Sequence, residues 1–308
     1  MLLYILFIII MIIRYGTSVK ESIDVTDICL SKLTNNNIIT IPISESSREK
    51  VFTDPFHLKL KKIFILNEDS ITECPWNTQL KIDIKNNTIQ FISNTDITEK
   101  LKNIQTKLQL NHGYFWQEYP EQLMTTRYLT GSEKVLEIGA NIGRNSLIIA
   151  SILQDSRNLV SLESCPTYAL QLIENRDINN LHFFVEPSAL SKTTLIQKDW
   201  NTIPSDTLKD GYSWVNTITL DQLNAKYNIE FDTLILDCEA AFYYILMDMP
   251  EILNNIKLII MENDYNEISK KKYIDDVLVK HNFYPIYSEN GGWGPCYNFF
   301  YEAWTRNI

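Results

Sequence analysis

Four acidic residues stand out by where they fall. Glu137 lies just ahead of a glycine turn, in the run Val135-Leu136-Glu137-Ile138-Gly139-Ala140-Asn141-Ile142-Gly143-Arg144-Asn145-Ser146. Glu163 closes the next apolar run, Val160-Ser161-Leu162-Glu163, about twenty residues after Gly143. Asp237 and Glu239 follow a third run, Leu234-Ile235-Leu236. Glycines such as Gly139 and Gly143 let backbone come close to a ligand, with the N–H groups of the following helix aimed at it. Asn141 sits between them. A carboxylate at position 137 suits a cationic amino-acid ligand and repels a dinucleotide pyrophosphate, and the glycine spacing also fails the G-x-G-x-x-G fingerprint. The α-ammonium of S-adenosylmethionine fits, held by Glu137 directly or through water. An acid at the end of the next strand accepts hydrogen bonds from ribose hydroxyls, which is the role expected of Glu163.

The pair Asp237-Cys238-Glu239 offers a general base for a substrate hydroxyl, or two ligands for a divalent metal. The competing reading makes Asp237 the cap of the following helix and puts Glu239 in its first turn. Glu262, ending a fifth apolar run, is expected to line the same cleft or to cap a helix. Ser188 and Ala189 follow the third strand, at the same strand-end edge. Tyr114–Glu118 precede the first strand and are expected to cover the cofactor. Trp293, in the turn Gly291-Gly292-Trp293-Gly294-Pro295, offers a flat apolar face for a sugar ring. His182, alone in an expected strand, reads as structural.

These residues need a frame that brings strand ends together. Strand-like runs at Val135–Ile138, Leu159–Leu162, Leu181–Val185, Thr233–Leu236 and Leu258–Met261 alternate with helical segments. The helices are expected from Gly143 to Leu153, Thr167 to Arg176, near Asp221–Tyr227, through Tyr243–Met247, and from Ser269 to His281. Buried parallel strands alternating with helices imply a doubly wound α/β sheet. Phe283–Ser288 and Phe299–Trp304 are expected to close it as a hairpin. Upstream, Gln79–Lys85 and Thr88–Ser93 alternate apolar and polar around Asn86-Asn87 and read as a β-hairpin. Ile97–Leu110 has helical spacing.

The runs Glu137–Ser146, Leu162-Glu163-Ser164-Cys165-Pro166, Asn175, Ala189-Leu190-Ser191, Thr217–Asp221, Asp237-Cys238-Glu239 and Ile260-Met261-Glu262 come in this order. Together they resemble the FkbM-type methyltransferases over residues 112–265, most closely the divergent members encoded by large DNA viruses. The resemblance implies a class I methyltransferase fold, Rossmann-like, with a seven-stranded mostly parallel sheet ending in an antiparallel hairpin. It also implies methyl transfer from S-adenosylmethionine to a hydroxyl, with sugar hydroxyls among the family's acceptors. The family pattern around the fourth strand is similar to Lys-x-Asp-x-Glu-Gly-x-Glu. Here Ile235, Ala240 and Phe242 replace its Lys, Gly and second Glu, which implies a changed substrate or a site that no longer catalyses. The first hundred residues lie outside the resemblance.

The 308-residue chain carries net charge −10, which disfavours nucleic acid as a partner, since phosphate binding asks for a basic face. Lys59–Lys62 and Lys270–Lys272 read as solvated faces. Leu2–Ile13 is an unbroken apolar run of about twelve residues, short of the roughly 20 that span a bilayer. It is expected to be a signal peptide or short membrane anchor over residues 1–18, with Gly16 and Ser18 as small residues near a cleavage point. That would place the protein in the secretory pathway or at a membrane; host cytoplasm is the alternative. The five cysteines follow neither a zinc nor a dense disulfide pattern. Asn86-Asn87-Thr88 is a glycosylation sequon. The expected organisation is thus 1–18 leader or anchor, 19–94 small β-rich module, 95–111 linking helix and 112–308 methyltransferase domain. The expected function is S-adenosylmethionine-dependent O-methylation of a sugar or glycan hydroxyl. The rivals are a catalytically silent scaffold of the same fold and, further off, a metal-dependent glycosyltransferase.

Overall fold

The computed structural model describes residues 11–35, 37–68 and 70–306. The chain forms two compact units. One takes the described residues through Ile97 together with 282–288 and those from Trp304 onward; the other takes 98–281 and 289–303.

The first unit holds β1 (Ile12–Gly16), β2 (Ser22–Asp24), α1 (Thr26–Lys32), β3 (Thr34–Asn35), β4 (Ile38–Ile41), α2 (Glu45–Phe52), β5 (Lys62–Asn67), β6 (Ser70–Cys74), β7 (Gln79–Asp83) and β8 (Thr88–Ile92). The strands make two four-stranded sheets, ordered β2-β1-β5-β6 and β3-β4-β7-β8. The expected hairpin is present: Gln79 pairs with Ile92 and Asp83 with Thr88. Asn87 turns it in a left-handed conformation, which Asn tolerates better than most residues. The alternating side chains Ile13, Tyr15, Ile39, Ile41, Ile63, Ile65, Leu80 and Ile82 fill one apolar core. The end of the early apolar run therefore forms β1, antiparallel to both β2 and β5. Cleavage after Ser18 would remove this strand. Most of the expected leader, residues 1–10, lies outside the described residues. No helix among the described residues is long and apolar enough to cross a membrane.

Beyond β8, α3 (Asn94–Gln105) and α4 (Tyr119–Tyr128) lead into an alternating part, which belongs to the second unit except for residues 284–288 and 304–305 near its end. This runs β9 (Val135–Ile138), α5 (Arg144–Ile152), β10 (Leu159–Leu162), α6 (Pro166–Ile178), β11 (Phe184–Glu186), β12 (Ala189–Leu190), β13 (Leu195–Lys198), β14 (Asn201–Pro204), β15 (Ser213–Val215), β16 (Thr217–Ile218), α7 (Leu220–Tyr227), β17 (Thr233–Leu236), α8 (Ala241–Asp248), β18 (Leu258–Glu262), α9 (Ile268–Lys280), β19 (Tyr284–Glu289) and β20 (Tyr301–Thr305). The seven-stranded sheet has the order β11-β10-β9-β17-β18-β20-β19. Every neighbouring pair from β11 to β18 is parallel. The sheet winds outward from β9 in both directions, as the Rossmann-like expectation requires. All residues of β9, β10 and β17 are buried, which is why these strands read as continuous apolar runs rather than alternating ones.

Three local expectations need correction. The third strand begins at Phe184, not Leu181. Arg176 takes the Phe183 carbonyl at 3.1 Å, and the His182 amide donates to Ser156 Oγ, so His182 lies outside the strand. The stretch after Glu186 is not merely polar loop. It carries a three-stranded antiparallel sheet, β14-β13-β15, and a parallel β12–β16 pair. Between β19 and β20 stands a short 3₁₀ helix, Gly294–Phe299, rather than a plain tight turn.

Candidate functional site

The turn after β9 is tied to the end of β10. The amides of Gly139 and Ala140 both donate to the Leu162 carbonyl, at 3.0 and 2.9 Å. Gly139, at φ 89°, passes so close to the end of β17 that an added Cβ would lie 1.8 Å from the Asp237 carbonyl oxygen. Only glycine fits this crossing. Gly143, at φ 90°, starts α5. The Asn141 amide donates to Glu163 Oε2 at 2.7 Å, and the Cys165 amide donates to Glu163 Oε1 at 2.7 Å. Each oxygen of Glu163 is thus fixed by one backbone donor and keeps lone-pair capacity for another. Burial raises the Glu163 pKa, and these backbone amides pull it back down.

Glu137 lies elsewhere. Its carboxylate accepts from the hydroxyls of Ser146 (2.5 Å) and Ser161 (2.6 Å) beneath the turn. Burial pushes its pKa up to about 7, against the two hydroxyls that lower it. It braces the glycine turn from below and does not line the cavity beside that turn.

The cavity is about 450 Å³, within the range of small-molecule sites. Of the residues singled out in the sequence, it brings together Gly139, Asn141, Glu163, Ser188, Ala189, Asp237, Glu239 and Glu262. Gly143 supports the turn from outside the wall, and Trp293 is absent from the wall. Trp116, from the stretch expected to cover the cofactor, does line it.

Asp237 follows β17, its amide donating to the Ile138 carbonyl at 3.1 Å. It is not a helix cap, since α8 starts after Ala240 and has no side-chain cap. Nor is Glu239 in the first turn of that helix. It holds a left-handed backbone at φ 53°, an uncommon state for a residue with a side chain. Ile235 and Phe242, which depart from the family pattern, are 3% and 1% exposed and pack in the core.

Sequence reasoning missed one carboxylate that belongs here, Glu121; Glu118 ends the stretch expected to cover the cofactor and also lines the cavity. Pro120 starts α4, and a proline with acids around it marks a helix N-terminus. That signal places the helix but not its position against the sheet edge. Glu118 bonds Arg144 Nη1 at 2.5 Å and accepts from Asn141 Nδ2 at 3.3 Å. Burial lifts its pKa to about 7, while Arg144 opposes the rise.

Glu262 stands against both Asp237 and Glu121. Carboxylate oxygens of the three lie within 4.8 Å of one another. Like charges about 4 Å apart repel by roughly 4 kcal/mol at an effective dielectric constant of 20. All three therefore hold protons more tightly than usual, burial being the first cause for each and neighbouring carboxylates adding to it for Asp237 and Glu262. Glu239 is raised in the same way, by burial and then by its hydrogen bond to Asp264. No lysine, arginine or histidine is among the residues lining the cavity.

Another part of the wall comes from the small sheet that the sequence reading missed. Leu195, Gln197, Trp200, Thr202 and Pro204 line the cavity. The Trp200 ring stacks on Tyr168 at 5.2 Å and 11°. Neither Leu195–Lys198 nor Asn201–Pro204 alternates apolar and polar residues, and the left-handed Asp199 at the turn offered only a local turn signal.

No protein-family model matches the chain, and no curated protein does. Similar solved structures include the ribosomal protein L11 methylase of Lactobacillus delbrueckii subsp. bulgaricus, at 11% identity and TM-score 0.41, covering 65% of this chain and 82% of that one. A putative O-methyltransferase from Klebsiella pneumoniae is 13% identical at TM-score 0.41, covering 69% and 90%. The O-methyltransferase from Bacillus cereus in complex with SAH is 16% identical at TM-score 0.40, covering 68% and 90%.

Proposed function

We propose that the second unit binds S-adenosylmethionine and transfers its methyl group to a hydroxyl, on a sugar or glycan. The observation that carries this reading is the placement of Glu163. Its two oxygens are held by the glycine turn and by the start of α6, and it shares one cavity with Asp237 at the end of β17, on the other side of β9. A ribose on Glu163 would leave the methionine end along the turn, toward Asp237. The reaction is an in-line displacement: the protein aligns the acceptor oxygen, methyl carbon and sulfur, and takes the hydroxyl proton. Asp237, raised in pKa by its surroundings, is the proton acceptor in this reading, and Glu239 is next in line. Ser188 and Ala189 flank the adenine. Trp116 and Trp200, 72% and 52% exposed, offer flat apolar faces to a sugar ring.

Asp237→Asn tests the chemistry. It keeps the shape and removes the base, so transfer should fall by about 10²–10⁴-fold while cofactor affinity stays within a few-fold. Full activity in the variant would move the base elsewhere. Lost binding together with lost activity would mark Asp237 as structural.

A second reading, a silent scaffold that binds the cofactor without transfer, is favoured by Ile235 and Phe242. The positions of the family's Lys and second Glu have become core. Cofactor binding with no transfer to any glycan acceptor would select it.

A further inference from the structure

The geometry points to a binding site for a hard divalent cation of the magnesium class at Glu121, Asp237 and Glu262. The ligands come from three separate elements: the first turn of α4, the residue after β17 and the last residue of β18. Their oxygens lie within 4.8 Å of one another. Six oxygens around a cation at about 2.1 Å sit roughly 3 Å from their neighbours and roughly 4.2 Å from those opposite. Small side-chain movements would therefore close the trio on an ion.

An independent observation comes from Glu121. The residue is only 6% exposed, it lines the cavity, and its Oε2 has no hydrogen-bond partner. A buried carboxylate oxygen left unmatched is costly unless something meets it. No cationic side chain is on the cavity wall to do so. All-oxygen donors select hard ions such as Mg²⁺, Mn²⁺ or Ca²⁺ over thiophilic ones. The three ligands face a cavity rather than a closed core, so the remaining positions stay open to water and to an acceptor oxygen.

Sequence reasoning had placed a possible metal on Asp237 and Glu239. The structure assigns a different set, because the carboxylates that come together are those of Glu121, Asp237 and Glu262, and Glu239 is not among them. The role of such an ion rests on the methyl-transfer reading: it would hold the acceptor hydroxyl and ease its deprotonation. Binding of the ion does not rest on that reading.

The test is calorimetric titration of the full chain with MgCl₂ and with MnCl₂, without cofactor, followed by a separate titration with S-adenosylmethionine. One metal site is expected, weakened at least about tenfold in Glu121→Gln and in Glu262→Gln, with circular dichroism unchanged. A rise in wild-type melting temperature with MnCl₂ is the companion measurement should either variant fold poorly. No metal binding by the wild type, or equal binding in both folded variants, overturns the site. Metal binding without cofactor binding would sink the methyl-transfer reading and leave the site standing.

Discussion

Lys61, in the first unit, is 1% exposed and meets three acids, Glu45 at 2.9 Å, Glu49 at 2.8 Å and Asp54 at 2.8 Å. Burial alone would lower its pKa, but these hydrogen bonds raise it above the usual lysine value. Arg48, fully buried, donates to the carbonyls of Pro42, Pro75 and Thr78. In the second unit, Glu121, Asp237 and Glu262 crowd together without a cation. Lys61 and Arg48 are met by opposite charge or by carbonyls, while these three acids meet no cationic side chain on the cavity wall. Matched burial holds a fold together; unmatched burial at a cavity is tolerated where something else is to be bound.

The contrast can be broken most forcefully in the first unit. Arg48→Met strands two buried carbonyls, of Pro42 and Thr78, and the part-buried carbonyl of Pro75, and should destabilise that unit by about 3 kcal/mol or more, read as a shifted denaturant midpoint. A change within about 0.5 kcal/mol would mean that the network is not structural. The opposite sign is expected at the cavity. Glu262→Gln relieves crowding and, without added metal, should raise stability by roughly 0.5–2 kcal/mol. A loss of that size instead would show the acids to be a satisfied network.

A third effect is in pH. Glu118 and Glu137 have folded pKa values near 7 against an ordinary 4.5. The folded state therefore binds protons more tightly than the unfolded chain. The penalty is absent below about 4.5, grows as pH rises, and is complete above about 7. The melting temperature of the second unit should accordingly fall from about pH 5 to about pH 8, with a shallower fall in Glu137→Gln. Asp54 in the first unit, lowered mainly by its hydrogen bond to Lys61, runs the other way: its contribution is lost as pH falls. An identical slope in Glu137→Gln would remove Glu137 from this account.

Much of this was legible in the sequence. The central strands are buried on both faces, so their apolar runs show in any reading. The glycine turn and Glu163 are local features with fixed spacing, and the structure brings Gly139, Asn141 and Glu163 to one cavity. Glu121 was not legible, because it joins Asp237 and Glu262 only when α4 packs against the sheet edge, a contact across more than a hundred residues. Glu137 was placed in the right turn but on the wrong side of it. Two hydroxyls, Ser146 and Ser161, capture it, and nothing in the spacing distinguishes facing a ligand from bracing the turn. The strands β13 to β15 are three or four residues long and do not alternate regularly between apolar and polar residues, so period-2 reasoning passes over them.

The central claim is that the cavity beside Glu163 takes an adenosyl ligand. Titration of wild type and Glu163→Ala with S-adenosylmethionine, with NAD as control, tests it most directly. Removing hydrogen bonds to a charged acceptor costs about 1.5–3 kcal/mol, roughly 10- to 150-fold in affinity. The account predicts wild-type binding of S-adenosylmethionine, a loss of that size in Glu163→Ala, and no binding of NAD. Equal affinity in the two proteins, or preference for NAD, would contradict it.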